Sequence, residues 1–220
     1  MIPVTAADEP ADFQMKVRER GLRAIAEMVG EHPRRRSGRA HAKIANRREE
    51  IPARSFPTYW TECLDDLLNA YSRICAYSCF RIHSVTGAAS VDHFAPKSRK
   101  WNKVYEWNNY RLAAARLNAR KNSFEDLIDP FDVQEGWFHL ELVGFQVFPN
   151  PQLNKSLRQQ IETTIARLGL DDFRHEREDD AEHYWDGEIT LKTLRRESPF
   201  VAFELARQNR LNPADAKAAR

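Results

Sequence analysis

The sequence has few cysteines and no long apolar run, and both absences narrow the class of protein. Its 220 residues include 3 Cys, too few for a disulfide framework. No apolar run approaches the roughly 20 residues that a membrane-spanning helix needs. The first residues, MIPVTAADEP, lack the apolar segment of a signal peptide. We therefore expect a soluble protein of the reducing cytoplasm with no membrane partner.

A strong excess of one charge is also missing, but the charges are unevenly spread. The formal net charge is +2, which by itself says little about a nucleic-acid partner. Residues 33–48 carry seven Lys or Arg and no acid, whereas residues 171–182 carry seven acids and two Arg. The basic stretch at 33–48 has two interpretations, a solvated linker or an arm that lies along phosphates.

Apolar periodicity predicts an α+β fold that is mainly helical. The pattern i, i+3, i+4, i+7 is clearest at 58–74 and predicts a helix there. Further predicted helices cover 12–29, 153–168 (ending at Gly169), 172–196 and 199–210. We divide the chain into an N-terminal helix and basic arm (1–57), a central unit (58–148) and a C-terminal helical region (149–220). The last region is expected to pack with the central unit.

Short segments rich in aromatic and β-branched residues predict strands. FRIHS (80–84) and ASVDHF (89–94) are predicted to form a hairpin with each other. NYRLAA (109–114) predicts a short strand, followed by a short helix in ARLNARKNSF. Alternation in 137–148 predicts a strand pair that bends at Gly144.

Two adjacent residues, Asp92 and His93, have the chemistry that phosphodiester hydrolysis needs. The reaction requires a base that activates water and a cation that stabilises the developing charge. A neutral histidine suits the base because its unperturbed pKa is about 6.5, and an aspartate binds hard divalent ions through oxygen. Neighbouring side chains of a strand point to opposite faces. The pair would therefore serve a metal and a water on two sides of one phosphate.

Basic residues crowd the stretch that follows. Between His93 and Lys121 the chain has eight Lys or Arg and one acid, Glu106. This one-sided charge predicts contacts with phosphates, which position a nucleic acid without reading its bases. The alternative is a solvated face. The candidate nucleic-acid-binding residues are Lys97, Arg99, Lys100, Lys103, Arg111, Arg116, Arg120 and Lys121.

The words VDHFAP, WNNYRLA and LNARKN resemble the ββα-metal core of HNH endonucleases, also called His-Me finger nucleases. The resemblance covers about 35 residues. It implies that His93 is the general base and that Asp92 and Asn118 bind a divalent metal, taken as Mg²⁺. It also implies that Asn109 holds the loop that orients His93, and that Asn122 is a further metal ligand.

Flanking sequence segments point to a narrower group within this family. ICAY, VDHFAPKS and LIDPF are similar to stretches of the HNH subunits of bacterial anti-phage systems such as Septu, retron-associated nucleases and Zorya-type systems. The resemblance implies a metal-dependent endonuclease that nicks or cuts DNA as a defence effector, beside an ATPase or another defence subunit. It also implies a ββα-metal core with N- and C-terminal helices packed around it. The alternative is a subunit that binds nucleic acid or a partner without catalysis.

The cysteines depart from the family pattern. Many members hold a structural zinc with two Cys pairs, whereas this chain has Cys75 and Cys79 in a CxxxC spacing and AAARLN where the second pair would stand. Two thiolates do not close a tetrahedral zinc site, and His83 is the candidate for a third ligand. We expect both cysteines to be small core residues and expect no structural zinc.

Overall fold

A computed structural model describes residues 1–31 and 39–218, so residues 33–38 of the basic stretch lie outside it. The helices are α1 (Glu19–Met28), α2 (Leu64–Ala70), α3 (Ala115–Lys121), α4 (Lys155–Leu168), α5 (Arg174–Trp185), α6 (Leu191–Glu197), α7 (Pro199–Arg207) and α8 (Pro213–Ala218). The strands are β1 (Ala89–His93), β2 (Tyr110–Ala114), β3 (Phe138–Leu140) and β4 (Val147–Pro149). The prediction of a mixed fold with more helix than strand is confirmed.

The first sheet consists of β1 and β2, which pair antiparallel with Asp92 opposite Arg111 and His93 opposite Tyr110. The predicted strand at 109–114 and the helix after it are confirmed as β2 and α3. The predicted hairpin between 80–84 and 89–94 is wrong. The backbone of 80–84 bonds instead to Arg73 and Glu197, because strand-like composition does not specify which segment a strand will pair with.

The predicted strand pair within 137–148 is confirmed as β3 and β4, which pair antiparallel. The bend between them is closed by the Glu141 carboxylate, which accepts hydrogen bonds from the backbone N–H groups of Val143, Gly144 and Gln146. This satisfies donors that the short strands leave unpaired at the turn. A second small sheet therefore lies C-terminal to the first.

Two predicted helices differ from the structure. The segment 58–74 is α-helical only in α2, with a 3-10 turn at Tyr59–Cys63 before it. The segment 172–196 is broken between α5 and α6, where Gly187 has a φ of 75° and the Thr190 side chain caps α6. The end of α4 is as predicted, since Gly169 adopts the left-handed conformation with a φ of 58°.

One hydrophobic cluster joins all three predicted regions, from Phe13 through Leu117 to Leu205. Cys75 and Cys79 are buried in it, as expected for small core residues. At its N-terminal side α1 packs on the ring of Tyr105, and a Cβ on Gly21 would lie 2.2 Å from that ring. Within the described ranges, no helix is long and apolar enough to cross a membrane.

Candidate active site

The β1–β2–α3 unit brings the predicted site residues to one pocket of about 370 Å³. Asp92 and His93 end β1, while β2 runs directly into α3, which carries Asn118 and ends at Asn122. All four side chains line the pocket. Residues that are up to 30 positions apart in sequence therefore meet because two antiparallel strands and the helix after them form one short unit.

His93 is held in one orientation and one tautomer. Its Nε2 lies 2.9 Å from the carbonyl oxygen of Val104. A carbonyl can only accept, so Nε2 carries the proton and Nδ1 keeps a free lone pair. The rings of Trp60 and Tyr110 pack on the imidazole with centroid distances of 4.7 and 5.1 Å. Nδ1 is thus the atom available to accept a proton.

The surroundings of His93 favour its neutral form. Burial, together with the positive charges of Lys97 and Lys121, lowers the pKa of His93 from 6.5 to about 3. The imidazole is therefore neutral at neutral pH, as a base must be before it accepts a proton. An anionic phosphate in the pocket would oppose this shift and strengthen the base.

Asn109 ties together the loop that carries the Val104 carbonyl. Its Oδ1 accepts a hydrogen bond of 2.7 Å from Ala95 N–H, and its Nδ2 donates to the carbonyls of Ala95 and Lys103 at 3.1 and 2.9 Å. One buried amide therefore joins the beginning and the end of the segment 95–103. Because Val104 follows directly, the side chain of Asn109 fixes the acceptor that orients His93.

Asp92 is 2% exposed and has two partners. The Tyr77 hydroxyl donates to its Oδ2, and the ammonium of Lys121 lies 3.2 Å from its Oδ1. The Lys121 ammonium also donates to the carbonyl of His93 at 2.9 Å. Burial raises the pKa of Asp92, and Lys121 and the Tyr77 hydrogen bond oppose that rise. These partners stabilise an ionised carboxylate in the interior.

Asn118 presents an oxygen to the same pocket. Its Nδ2 donates to Ser90 Oγ and to the Val91 carbonyl at 3.1 and 3.2 Å, so Oδ1 remains as the acceptor on the other side of the amide. In the part of the chain that the structure describes, no three His, Cys, Asp or Glu side chains are placed to hold a metal ion. A carboxylate and an amide oxygen nevertheless fit Mg²⁺, which binds few protein oxygens and keeps several waters.

The predicted nucleic-acid-binding residues fall on different surfaces. Two of them, Lys121 and Arg111, are not at the surface: they are 0% and 3% exposed and bond to Asp92 and Asp129. The Arg120 guanidinium donates to the carbonyls of Leu168 and Gly169. Arg116 is exposed but lies on the far side of α3, over the ring of Phe173. Arg99, Lys100 and Lys103 are exposed on the loop after β1, where Lys97 is half-buried and lines the pocket.

Three residues that support the site were missed at the level of sequence, namely Trp60, Tyr77 and Tyr110. Trp60 lies on the apolar side of the predicted helix 58–74, where an aromatic residue indicates only core packing. Tyr77 lies between two buried cysteines. A hydrophobic pattern does not show which buried hydroxyl meets which carboxylate, so these contacts follow from the tertiary structure alone.

No protein-family model matches this chain, and no curated protein matches it.

Proposed function

We propose that this protein is a metal-dependent endonuclease of the HNH type that hydrolyses phosphodiester bonds in DNA. The observation that carries the proposal is the geometry of His93, whose Nε2 lies 2.9 Å from the Val104 carbonyl oxygen and which lines one pocket with the Asp92 carboxylate. A buried, oriented imidazole beside a carboxylate suits general-base chemistry on a bound water. The resemblance of the motif to HNH nucleases, together with the order β1–β2–α3, agrees with this function.

In the proposed reaction Nδ1 of His93 accepts a proton from the attacking water as the water oxygen bonds to phosphorus. The P–O bond to the leaving sugar oxygen breaks, and that oxygen takes its proton from solvent. Asn109 keeps the loop in place, Val104 keeps the tautomer, and the Trp60 and Tyr110 rings keep the imidazole from rotating. A base that is fixed before the substrate arrives loses no orientational freedom during the reaction. Asp92 and Asn118 would hold a divalent cation, which supplies positive charge for the phosphate as it develops negative charge.

The DNA backbone would be held by the loop after β1. Arg99, Lys100 and Lys103 are exposed there, on the segment that follows the pocket residues Lys97 and Ser98. The basic arm is attached to the same loop, since Trp101 Nε1 donates to Glu49 at 3.1 Å and Arg48 lies over the Trp101 ring. Arg48, the last residue of the basic stretch, therefore lies beside the loop, and a duplex on the loop would also pass Arg48.

The first experiment is cleavage of supercoiled plasmid by the purified protein with Mg²⁺, with and without EDTA. We predict that His93→Ala lowers the rate about 10²- to 10⁴-fold, the usual contribution of a general base. The matched control is His175→Ala, since the side chain of His175 is 71% exposed and lies on α5, outside the pocket. Circular dichroism establishes that both variants are folded. Near wild-type cleavage by His93→Ala would refute the assignment.

A second function is favoured by the contacts of Asp92. Tyr77 and Lys121 already engage both carboxylate oxygens, as in a carboxylate that only stabilises the fold. Under this alternative the protein binds nucleic acid or a partner without catalysis. The plasmid assay with each of Mg²⁺, Mn²⁺ and Ca²⁺ separates the two functions, because a binding subunit would retain DNA in a mobility-shift gel and leave it uncut under every condition.

The biological setting we propose is anti-phage defence, on the basis of the resemblance of ICAY, VDHFAPKS and LIDPF to HNH subunits of such systems. Those subunits work beside an ATPase. The plasmid assay should therefore be repeated with the product of a neighbouring ATPase gene, where there is one. Cleavage that appears only with the partner would assign this chain as the nuclease component of a complex.

A further inference from the structure

Lys97 differs from the other loop cations in its surroundings. Its ammonium lies 4.1 Å from the centre of the Trp60 ring, and its side chain lines the pocket with Asp92 and His93. Among the described residues it is the one cation in the lining of this pocket. By contrast, the side chain of Arg99, two positions later, is 67% exposed. The chain therefore directs one loop cation inward and the next ones outward.

We propose that Lys97 is a catalytic residue whose ammonium contacts a non-bridging oxygen of the reacting phosphate, whereas Arg99, Lys100 and Lys103 only hold the DNA backbone. This inference rests on the proposed nuclease function. It assigns to Lys97 the stabilisation of charge that develops as the water attacks. Lys97 stays protonated throughout, so the proton from water passes only to His93.

The packing around Trp60 supports this role. The same indole contacts the imidazole of His93 at 4.7 Å and the ammonium of Lys97 at 4.1 Å between centres, so one rigid side chain sets the position of the base and of the cation. A cation that is partly removed from water interacts more strongly with a charge that forms nearby. Burial lowers the pKa of Lys97 and Asp92 opposes that shift. A phosphate bound nearby would, like Asp92, raise the pKa of Lys97 and so favour its ammonium form.

The test compares Lys97→Met with Lys103→Met. Methionine keeps an unbranched stem that can pack on Trp60 and removes the charge, and Lys103 supplies the matched exposed position on the same loop. Each variant is measured in two ways, the single-turnover rate on a saturating labelled duplex with Mg²⁺, and the Kd for that duplex in EDTA at several salt concentrations. Thermal melting shows whether each variant is folded.

We expect Lys97→Met to lower the single-turnover rate about 10²- to 10³-fold, the effect of losing one preorganised donor to the developing charge, and to leave the Kd nearly unchanged. Lys103→Met should lower the salt slope by about 0.9. Lys192→Met, at an exposed position on α6 that is not part of the pocket lining, is the control whose rate should stay normal. A Lys97→Cys variant, treated with 2-bromoethylamine, regains an ammonium and should regain rate. The three natural cysteines are buried and so protected from this reagent.

The outcomes separate the two proposals. If the wild-type protein cuts no duplex with any divalent ion, with or without a partner ATPase, the nuclease function fails and the role of Lys97 fails with it. If the wild type cuts and Lys97→Met retains its single-turnover rate, or loses only affinity, Lys97 is an ordinary backbone contact. If Lys97→Met does not fold, Lys97→Cys before and after aminoethylation gives the decision, and equal rates in the two states overturn the inference.

Discussion

The basic residues between 97 and 121 form two groups that do opposite things. Those on β2 and α3 are directed inward or onto neighbouring elements, where Arg111 bonds to Asp129 and Lys121 to Asp92. Those on the loop after β1 are exposed, apart from Lys97. The first group holds the fold around the pocket, and the second is available to a ligand. Local charge density therefore does not separate structural cations from binding cations.

Acids that are distant in sequence account for the difference between the two groups of basic residues. Asp129 and Asp172 follow α3 and α4, and they reach the guanidinium groups of Arg111 and Arg120 across 18 and 52 positions. A buried cation needs a hydrogen-bonded anion nearby because an unpaired charge is costly in the interior. Arg99, Lys100 and Lys103 are exposed and do not require such a partner, although Arg99 lies 3.9 Å from Glu125 at the surface. These distant acids thus engage cations that the sequence would assign to a binding surface, and Asp172 also lies 3.8 Å from Arg116.

The largest effect should come from Lys121. We predict that Lys121→Met lowers the free energy of unfolding by about 3 kcal/mol, because it leaves the buried Asp92 carboxylate without its cation. Urea unfolding followed by fluorescence measures the change, and Lys103→Met is the exposed control. The double variant Lys121→Met with Asp92→Asn should recover part of the loss, since it removes the unpaired charge. A loss below about 0.5 kcal/mol for the single variant would show that this buried cation stabilises the fold no more than the exposed loop cations do.

A smaller effect is expected for Arg111. Its guanidinium bonds to Asp129 and lies 3.5 Å from the centre of the Phe131 ring. We predict that Arg111→Met costs about 2 kcal/mol, the range of a charge-assisted hydrogen bond, because Asp129 is more exposed than Asp92 and can be rehydrated. Urea unfolding gives the value. A decrease in unfolding free energy equal to that of Lys121→Met would mean that the exposure of the partner aspartate does not determine the size of the loss.

The comparison also shows what sequence could and could not give. β2, α3 and the end of α4 at Gly169 were predictable because each depends on local pattern or on one glycine with positive φ. The choice of β2 as partner of β1 was not, since strand composition leaves the partner open. Asp92, His93 and Asn118 were identifiable as chemistry, but Tyr77 and Trp60 were not, because their roles arise only from contacts between distant segments.

The smallest effect on stability, and the largest on DNA binding, should come from the loop. We predict that the triple variant Arg99→Ala, Lys100→Ala, Lys103→Ala changes the free energy of unfolding by less than about 0.5 kcal/mol, as exposed substitutions usually do. Its Kd for duplex DNA should rise about equally for all sequences, since phosphate contacts read no bases. The slope of log K against log salt should fall by up to about 2.7, or roughly 0.9 for each phosphate that the variant no longer neutralises.

The alternative site for DNA binding is the basic arm, whose sequence is as basic as that of the loop. Glu49 at its C-terminal side accepts a hydrogen bond from Trp101 of the loop. Replacing Arg34, Arg35 and Arg36 by alanine removes the same number of charges there and gives a matched comparison. Binding isotherms at four salt concentrations, recorded in EDTA so that no DNA is cut, give both slopes. If the loop variant keeps the wild-type slope and the slope of the arm variant falls, the arm holds the duplex. The exposed loop cations would then be a solvated face, as the alternative interpretation of this stretch holds, and only Lys97 would connect the loop to the phosphate.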